Sequence, residues 1–250
     1  MPTALVTGGS KRIGRAIVED LAAHGFAVVI HAHRSVAEAE ALAASLHAKG
    51  GRAAVVTADL ADLASLRPMW NAAVAALGPI DLLVNNAAIF EPDEIGGLDP
   101  AAWRRQMTVN LEAPVFLAEA FAAGLPDGAE GNIVNLIDQR VWKQLPHFVS
   151  YQLSKAGLWS ATRSIAQALA PRIRVNAIGP GPVLPSYRQE QADFDRLVAT
   201  LPLRRGPELA EFGRTIRFLV ETRSITGQMI ALDGGQHLAW ETPDVVGIPE

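Results

Sequence analysis

What most limits how this chain can fold is an alternation: short apolar runs rich in β-branched residues, each followed by a longer Ala/Leu segment of helical period. Such a pattern builds βαβ units around a parallel sheet. Strands are predicted at Ala4–Thr7, Ala27–His31, Ala53–Thr57, Leu82–Asn85, Ile133–Leu136, Arg174–Ile178 and Met229–Leu232. Several of these runs are apolar at consecutive positions, which requires helices over both faces of the sheet. The expected fold class is therefore α/β, a doubly wound parallel sheet. Helices are predicted at Ile13–His24, ended by Gly25, and at Val36–Lys49, ended by Gly50-Gly51. Asp99 and Pro100 suit an N-cap and N1 pair opening a long helix towards Phe121, kinked at Pro114. Further helices are predicted from about Tyr151 to Ala168 and from Pro207 to Val220.

No repeat, low-complexity linker or second pattern interrupts the series, so one domain is expected over residues 1–250. Within it, the Pro- and Gly-rich stretch at Gly179–Pro185 reads as a loop beside a site, part of a substrate loop over about 179–205. A tail over 237–250 is expected at a subunit interface or near the site. Lys plus Arg number 22 against 26 Asp plus Glu, a net charge of −4 that excludes a nucleic-acid footprint at the level of the whole chain. At 49% hydrophobic and 19% charged, the composition is that of a packed core, not of a disordered or fibrous chain. The absence of cysteine removes disulfides, thiolate metal sites and thiol nucleophiles, and suits a cytoplasmic protein. No apolar stretch approaches the ~20 residues of a membrane span, and no export signal is expected.

The first strand runs into Gly8-Gly9-Ser10-Lys11-Arg12-Ile13-Gly14 and then a helix. This is the context of a dinucleotide-binding turn, where glycine lets the backbone approach a pyrophosphate and the helix N-terminus offers free N–H groups. The second strand ends in His31-Ala32-His33-Arg34-Ser35, without the acid that an NAD enzyme places on the ribose hydroxyls. Arg34, with Ser35, can instead pair with a 2′-phosphate, so NADPH is the predicted cofactor. His31 and His33 share a strand face, yet no third ligand accompanies them and no metal site is expected. Later, Tyr151 and Lys155 stand at i and i+4 on one helix face, a spacing at which the ammonium would lower the phenol's pKa towards a useful acid/base range.

Together these motifs resemble the short-chain dehydrogenase/reductase family over nearly the whole length, implying a Rossmann-type single domain. The TGxxxRxG turn departs from the family form by placing Arg12 where the middle glycine usually stands. By resemblance, the cofactor would be held by Gly8, Ser10, Arg12 and Ile13; by His33, Arg34 and Ser35; and by Asp59 and Leu60 beside the adenine. Asn86 and Ala87 of the Asn85-Asn86-Ala87-Ala88 element, Lys155, and Pro180 and Gly181 would complete that set. The same resemblance gives Tyr151, Lys155 and Asn110 as the catalytic group, with Asn110 holding a water on the route from the lysine to solvent.

Where most of the family has a serine, this chain has Asp138. An ionised carboxylate repels a developing alkoxide, so a simple ketone suits it poorly; a substrate offering N–H groups or a ring nitrogen suits it well. That departure, with Arg12, Arg34 and Phe90, resembles the pteridine reductase branch. The resemblance implies that Arg12, Phe90, Asp138 and Tyr151 contact a pteridine, with Leu184 and Tyr187 on a lid over it and Trp142 either on the opposite wall or simply packed. Ala88 falls where branch members often have a serine. The expected activity is NADPH-dependent hydride transfer to a C=N bond of a small-molecule dihydropterin or dihydrofolate. Alternatives are a ketone reductase and a catalytically silent NADP-binding regulator. A homotetramer is implied by the same resemblance, with no nucleic-acid or membrane partner.

Overall fold

The computed structural model describes residues 1–241 and 246. Seven strands form one parallel sheet: β1 Thr3–Val6, β2 Ala27–Ala32, β3 Ala53–Thr57, β4 Leu82–Asn85, β5 Gly131–Leu136, β6 Ile173–Pro180 and β7 Met229–Leu232. Their order is β3-β2-β1-β4-β5-β6-β7. Alternate residues of the central strands serve opposite cores. Leu5, Val29 and Leu83 pack with Trp70, Leu117 and Phe121 on one face. Val6, Val28, Ile30 and Val84 pack with Ile17, Leu21 and Phe212 on the other. Both faces are thus dry, which is why the strand sequences are apolar without alternation.

The helices are α1 Arg12–Ala23, α2 Val36–Ala48, α3 Leu66–Leu77, α4 Pro100–Met107, α5 Ala113–Gly124, α6 Val149–Leu169, α7 Gln191–Ala199 and α8 Leu209–Glu221. Two of them, α3 and α7, were not expected. The sheet order reverses between β1 and β4, and the crevice beyond the carboxyl ends of those strands is where open α/β sheets bind ligands.

The predicted long helix is two helices joined by a π-helical stretch at Thr108–Glu112. Pro114 lies in the first turn of α5, directly after that stretch, and offers no N–H to the carbonyl of Asn110. Asp99 does cap α4, accepting from the N–H groups of Ala101 and Ala102. Ahead of α6, Phe148 takes a left-handed conformation, φ +59°. Asp93 holds it there: its carbonyl accepts from Phe148 N–H at 2.7 Å and its carboxylate from Ser150 N–H at 3.2 Å. Of the tail, His237 packs against the ring of Trp142, and Lys143 donates to the carbonyl of Ala239. The rest of the stretch expected at 237–250 lies, from 242 to 245 and from 247 to 250, outside the described residues.

Candidate active site

The carboxyl ends of β1, β2 and β4 border a groove of about 610 Å³ lined by Gly8, Ser10, Arg12, Ile13, His33, Arg34, Ser35, Asp59, Leu60, Asn86 and Ala87, all of them residues expected at the cofactor. Gly8 has φ +61°, and a Cβ on Gly14 would stand 2.2 Å from the carbonyl oxygen of Gly8. The turn is therefore closed by contact between backbones. Arg12 also has positive φ, +51°, which is the conformation that suits glycine at this position of the family. Asn86 ties β4 to the turn, donating through Nδ2 to the carbonyls of Thr7 and Gly8 at 2.9 and 3.1 Å.

His31, noted in the sequence only for its shared face with His33, supports the turn from behind. Its Nδ1 accepts from Gly8 N–H at 3.2 Å while Nε2 donates to Ala58 O at 3.2 Å, which defines the neutral tautomer. Burial lowers its pKa from 6.5 to about 4. His33 faces Asp59 at 3.8 Å. The N–H of Ala61, and then Arg105, hold the Asp59 carboxyl below its usual range. Lys11 is paired with Glu38 at 2.6 Å. Arg34 is exposed, with no ion pair among the described residues. Beside it the hydroxyls of Ser10 and Ser35 meet at 2.5 Å.

Arg12, Ile13, Asn86 and Ala88 are shared with a second cleft of about 370 Å³, whose floor is formed by Asp138, Tyr151 and Lys155 and whose rim carries Pro180, Gly181 and Leu184. Asp138 lies two residues beyond β5, capping the short helical turn Gln139–Val141, and Tyr151 and Lys155 project from the first turns of α6. The Tyr151 phenol donates to Asp138 Oδ2 at 2.8 Å, and Arg140 N–H donates to Oδ1 at 2.8 Å. Burial raises the Asp138 carboxyl above the usual carboxylate range, against the opposing pull of Arg140, the hydrogen bonds and Lys155.

The expectation that Lys155 lowers the Tyr151 pKa is corrected by this geometry. Lys155 Nζ donates to the carbonyl of Leu136 at 2.7 Å, and Tyr151 faces a carboxylate. Burial first, then the charge of Asp138, pushes the phenol well above its ordinary value, so Tyr151 is a firmly protonated donor. Burial lowers the Lys155 ammonium to about 8. Asn110 is wholly buried and spends its carboxamide on structure, pairing with the N–H and C=O of Ile89 at 2.8 Å each and donating to Ser154 Oγ at 3.1 Å.

Phe90 lines the cleft as expected, though Phe148 is stacked on it at 4.4 Å and Tyr151 meets it edge-on at 4.7 Å. Arg12 reaches the lid, donating to Leu184 O at 3.2 Å. Tyr187 was expected to face the substrate. It is instead 81% exposed, outside the residues that line the cleft, and bonded to the Glu91 carboxylate. Ser186, Gln189, Phe194 and Leu197 supply the inner lid surface, the last two from α7. Trp142 does not form a wall; it is packed on His237. Gln139, Arg140 and Gln236 also line the cleft and went unremarked in the sequence. Only proximity to Asp138 could have signalled the first two.

The chain matches the short chain dehydrogenase family over residues 2–195 and belongs to that family. It is 60% identical to a FolM alternative dihydrofolate reductase 1 from Brucella suis solved in complex with NADP, with a TM-score of 0.96 and 98% of each chain covered. It is 35% identical to pteridine reductase 1 of Leishmania tarentolae, across 95% of this chain and 96% of that protein. A 3-oxoacyl-acyl-carrier-protein reductase of Staphylococcus epidermidis is 30% identical, across 94% and 99%. No helix among the described residues is long and apolar enough to cross a membrane.

Proposed function

We propose that this chain is an NADPH-dependent reductase that transfers hydride to a C=N bond of a pteridine, either dihydrofolate or a dihydropterin. The observation that carries the proposal is the Tyr151–Asp138 hydrogen bond on the floor of the cleft. A carboxylate accepts the N–H groups of a pyrimidine-like ring and opposes the oxyanion of a reduced ketone. The pteridine reductase of Leishmania tarentolae and the alternative dihydrofolate reductase of Brucella suis, as relatives, support the same reading.

The donor set of the groove fits the cofactor. Arg34, exposed and without an ion pair among the described residues, holds a 2′-phosphate with Ser35 and His33, and no acid at the end of β2 opposes that charge. Gly8, Ser10, Arg12 and Ile13, at the N-terminus of α1, hold the pyrophosphate; Asp59 and Leu60 flank the adenine. Asn86, Ala87, Lys155, Pro180 and Gly181 border the nicotinamide end. Bound NADPH supplies the hydride.

The chain's own residues then orient the acceptor and deliver a proton. Asp138 accepts from ring N–H groups, Arg12 and Phe90 hold the ring, and Tyr151 donates its phenolic proton to the nitrogen next to the reduced carbon. Lys155 holds the nicotinamide ribose, and Asn110 keeps the Ile89 loop and α6 in register beside the site. Leu184 closes the lid. The protein is further proposed to be one NADP-binding domain over 1–250 with a substrate loop over 179–205. It works in the cytoplasm as a homotetramer, its exposed Phe116 on α5 and Leu153 on α6 being apolar enough to pack between copies.

Asp138→Ser tests the assignment. It should depress turnover of dihydropterins and dihydrofolate and raise turnover of ketones. The opposite pattern would favour a ketone reductase, the second reading that the 3-oxoacyl-acyl-carrier-protein reductase relative supports.

A further inference from the structure

Asp138 is a half-buried carboxylate in the cleft lining, and a carboxylate that has lost part of its water stays ionised only if positive charge or hydrogen-bond donors compensate. Its donors are the Tyr151 phenol and the backbone N–H of Arg140. The nearest lysine is committed elsewhere, with Lys155 Nζ held by the carbonyl of Leu136. Arg105 and Arg188 are spent on Asp59 and Glu91, and Arg12 on the carbonyl of Leu184. Arg140 is the cation left over. It lines the cleft, is half-buried, and has no ion pair among the described residues. Its guanidinium carbon stands 5.3 Å from the ring centre of Phe90 and 5.4 Å from that of Phe148, beside their stack. Two aromatic rings therefore seat this cation in the lining of the cleft that also holds Asp138. The unusual left-handed Phe148, held by Asp93, is what brings the second ring there.

We propose that Arg140 is a positioning residue for the Asp138–Tyr151 pair: seated beside Phe90 and Phe148, it keeps Asp138 an anion and so fixes Tyr151 as the donor of their shared hydrogen bond. The other charged groups around Asp138 are Lys155 on α6, Arg12 on the glycine turn, the Arg188–Glu91 pair on the lid side of Phe90, and Lys143 and the Asp233–His237 pair behind Trp142. None of these is as free as Arg140 to answer the charge of Asp138, because each is bonded to another partner. The inference uses the proposed roles of Asp138 and Tyr151, but its test reads the pair directly.

The chain has 2 tyrosines, so Tyr187→Phe leaves Tyr151 as a single reporter. In that background the 13Cζ resonance of Tyr151 is followed against pH, and Asp138→Asn identifies the inflection that belongs to Asp138. Arg140→Met should move that inflection upward by about one pH unit, whereas Arg140→Lys, which keeps the charge, should leave it near its starting point. Circular dichroism of each variant checks that it folds. An unmoved inflection in a folded Arg140→Met protein would overturn the proposal, as would equal shifts in the Met and Lys variants. The spectrum needs no substrate, so an inactive enzyme with the expected shift refutes the proposed function and leaves the role of Arg140 intact.

Discussion

Acid should loosen the cofactor turn through one residue, His31. It is 2% exposed, lies behind Gly8, and stays neutral in order to accept the Gly8 N–H while donating to Ala58 O. Its pKa is 6.5 in the open chain and about 4 in the fold. A basic group with a depressed folded pKa favours the fold fully above the unfolded value. That contribution is lost as pH falls towards the folded value, because the unfolded chain binds the proton first. At about 1.4 kcal/mol per pH unit, the difference is about 3 kcal/mol lost between pH 6.5 and pH 4. Urea unfolding of wild type and His31→Asn from pH 8 to pH 4 measures it. The variant will be less stable at neutral pH, since it leaves Gly8 N–H or Ala58 O poorly satisfied, and the two stability curves should converge as the pH drops. Curves that stay parallel through that window would refute the assignment of a neutral, turn-supporting His31.

The turn itself gives a second prediction: Gly14→Ala, whose Cβ would stand 2.2 Å from Gly8 O, should abolish NADPH binding and lower the melting temperature, both read in one thermal-shift titration with NADPH. Arg34→Asp should weaken NADPH by about 10- to 100-fold and narrow the preference over NADH, measured as the two dissociation constants by fluorescence. Arg12→Gly relieves a left-handed side chain worth about 1 kcal/mol and should raise stability in urea, while raising KM for the pteridine if Arg12 holds the ring.

The fold was legible because strand period and helix punctuation agree along the chain: all seven strands lie within two residues of their predicted limits. Helix α3 was hidden by Pro68, which looks like a breaker yet sits in a first turn, where proline is tolerated. Helix α7 has no fully buried residue and so offers little apolar stripe to read. In the site, residues tied to local spacing were legible, among them Arg34 and Tyr151 with Lys155. What escaped were contacts between distant segments. His31 gave no sign that it would support Gly8, and nothing in the spacing of Phe148 placed it on Phe90. The direction of the Tyr151 pKa was misjudged because helix spacing shows Lys155 as a neighbour and cannot show that its ammonium turns to Leu136.

The central claim is tested most directly by NADPH oxidation with purified protein across dihydropterins, dihydrofolate and a series of ketones, run beside Tyr151→Phe. The account predicts turnover of the pteridines, and a loss of at least about 100-fold in Tyr151→Phe, the scale of removing a general acid. Turnover confined to ketones, or pteridine reduction that survives without the phenol, would contradict it.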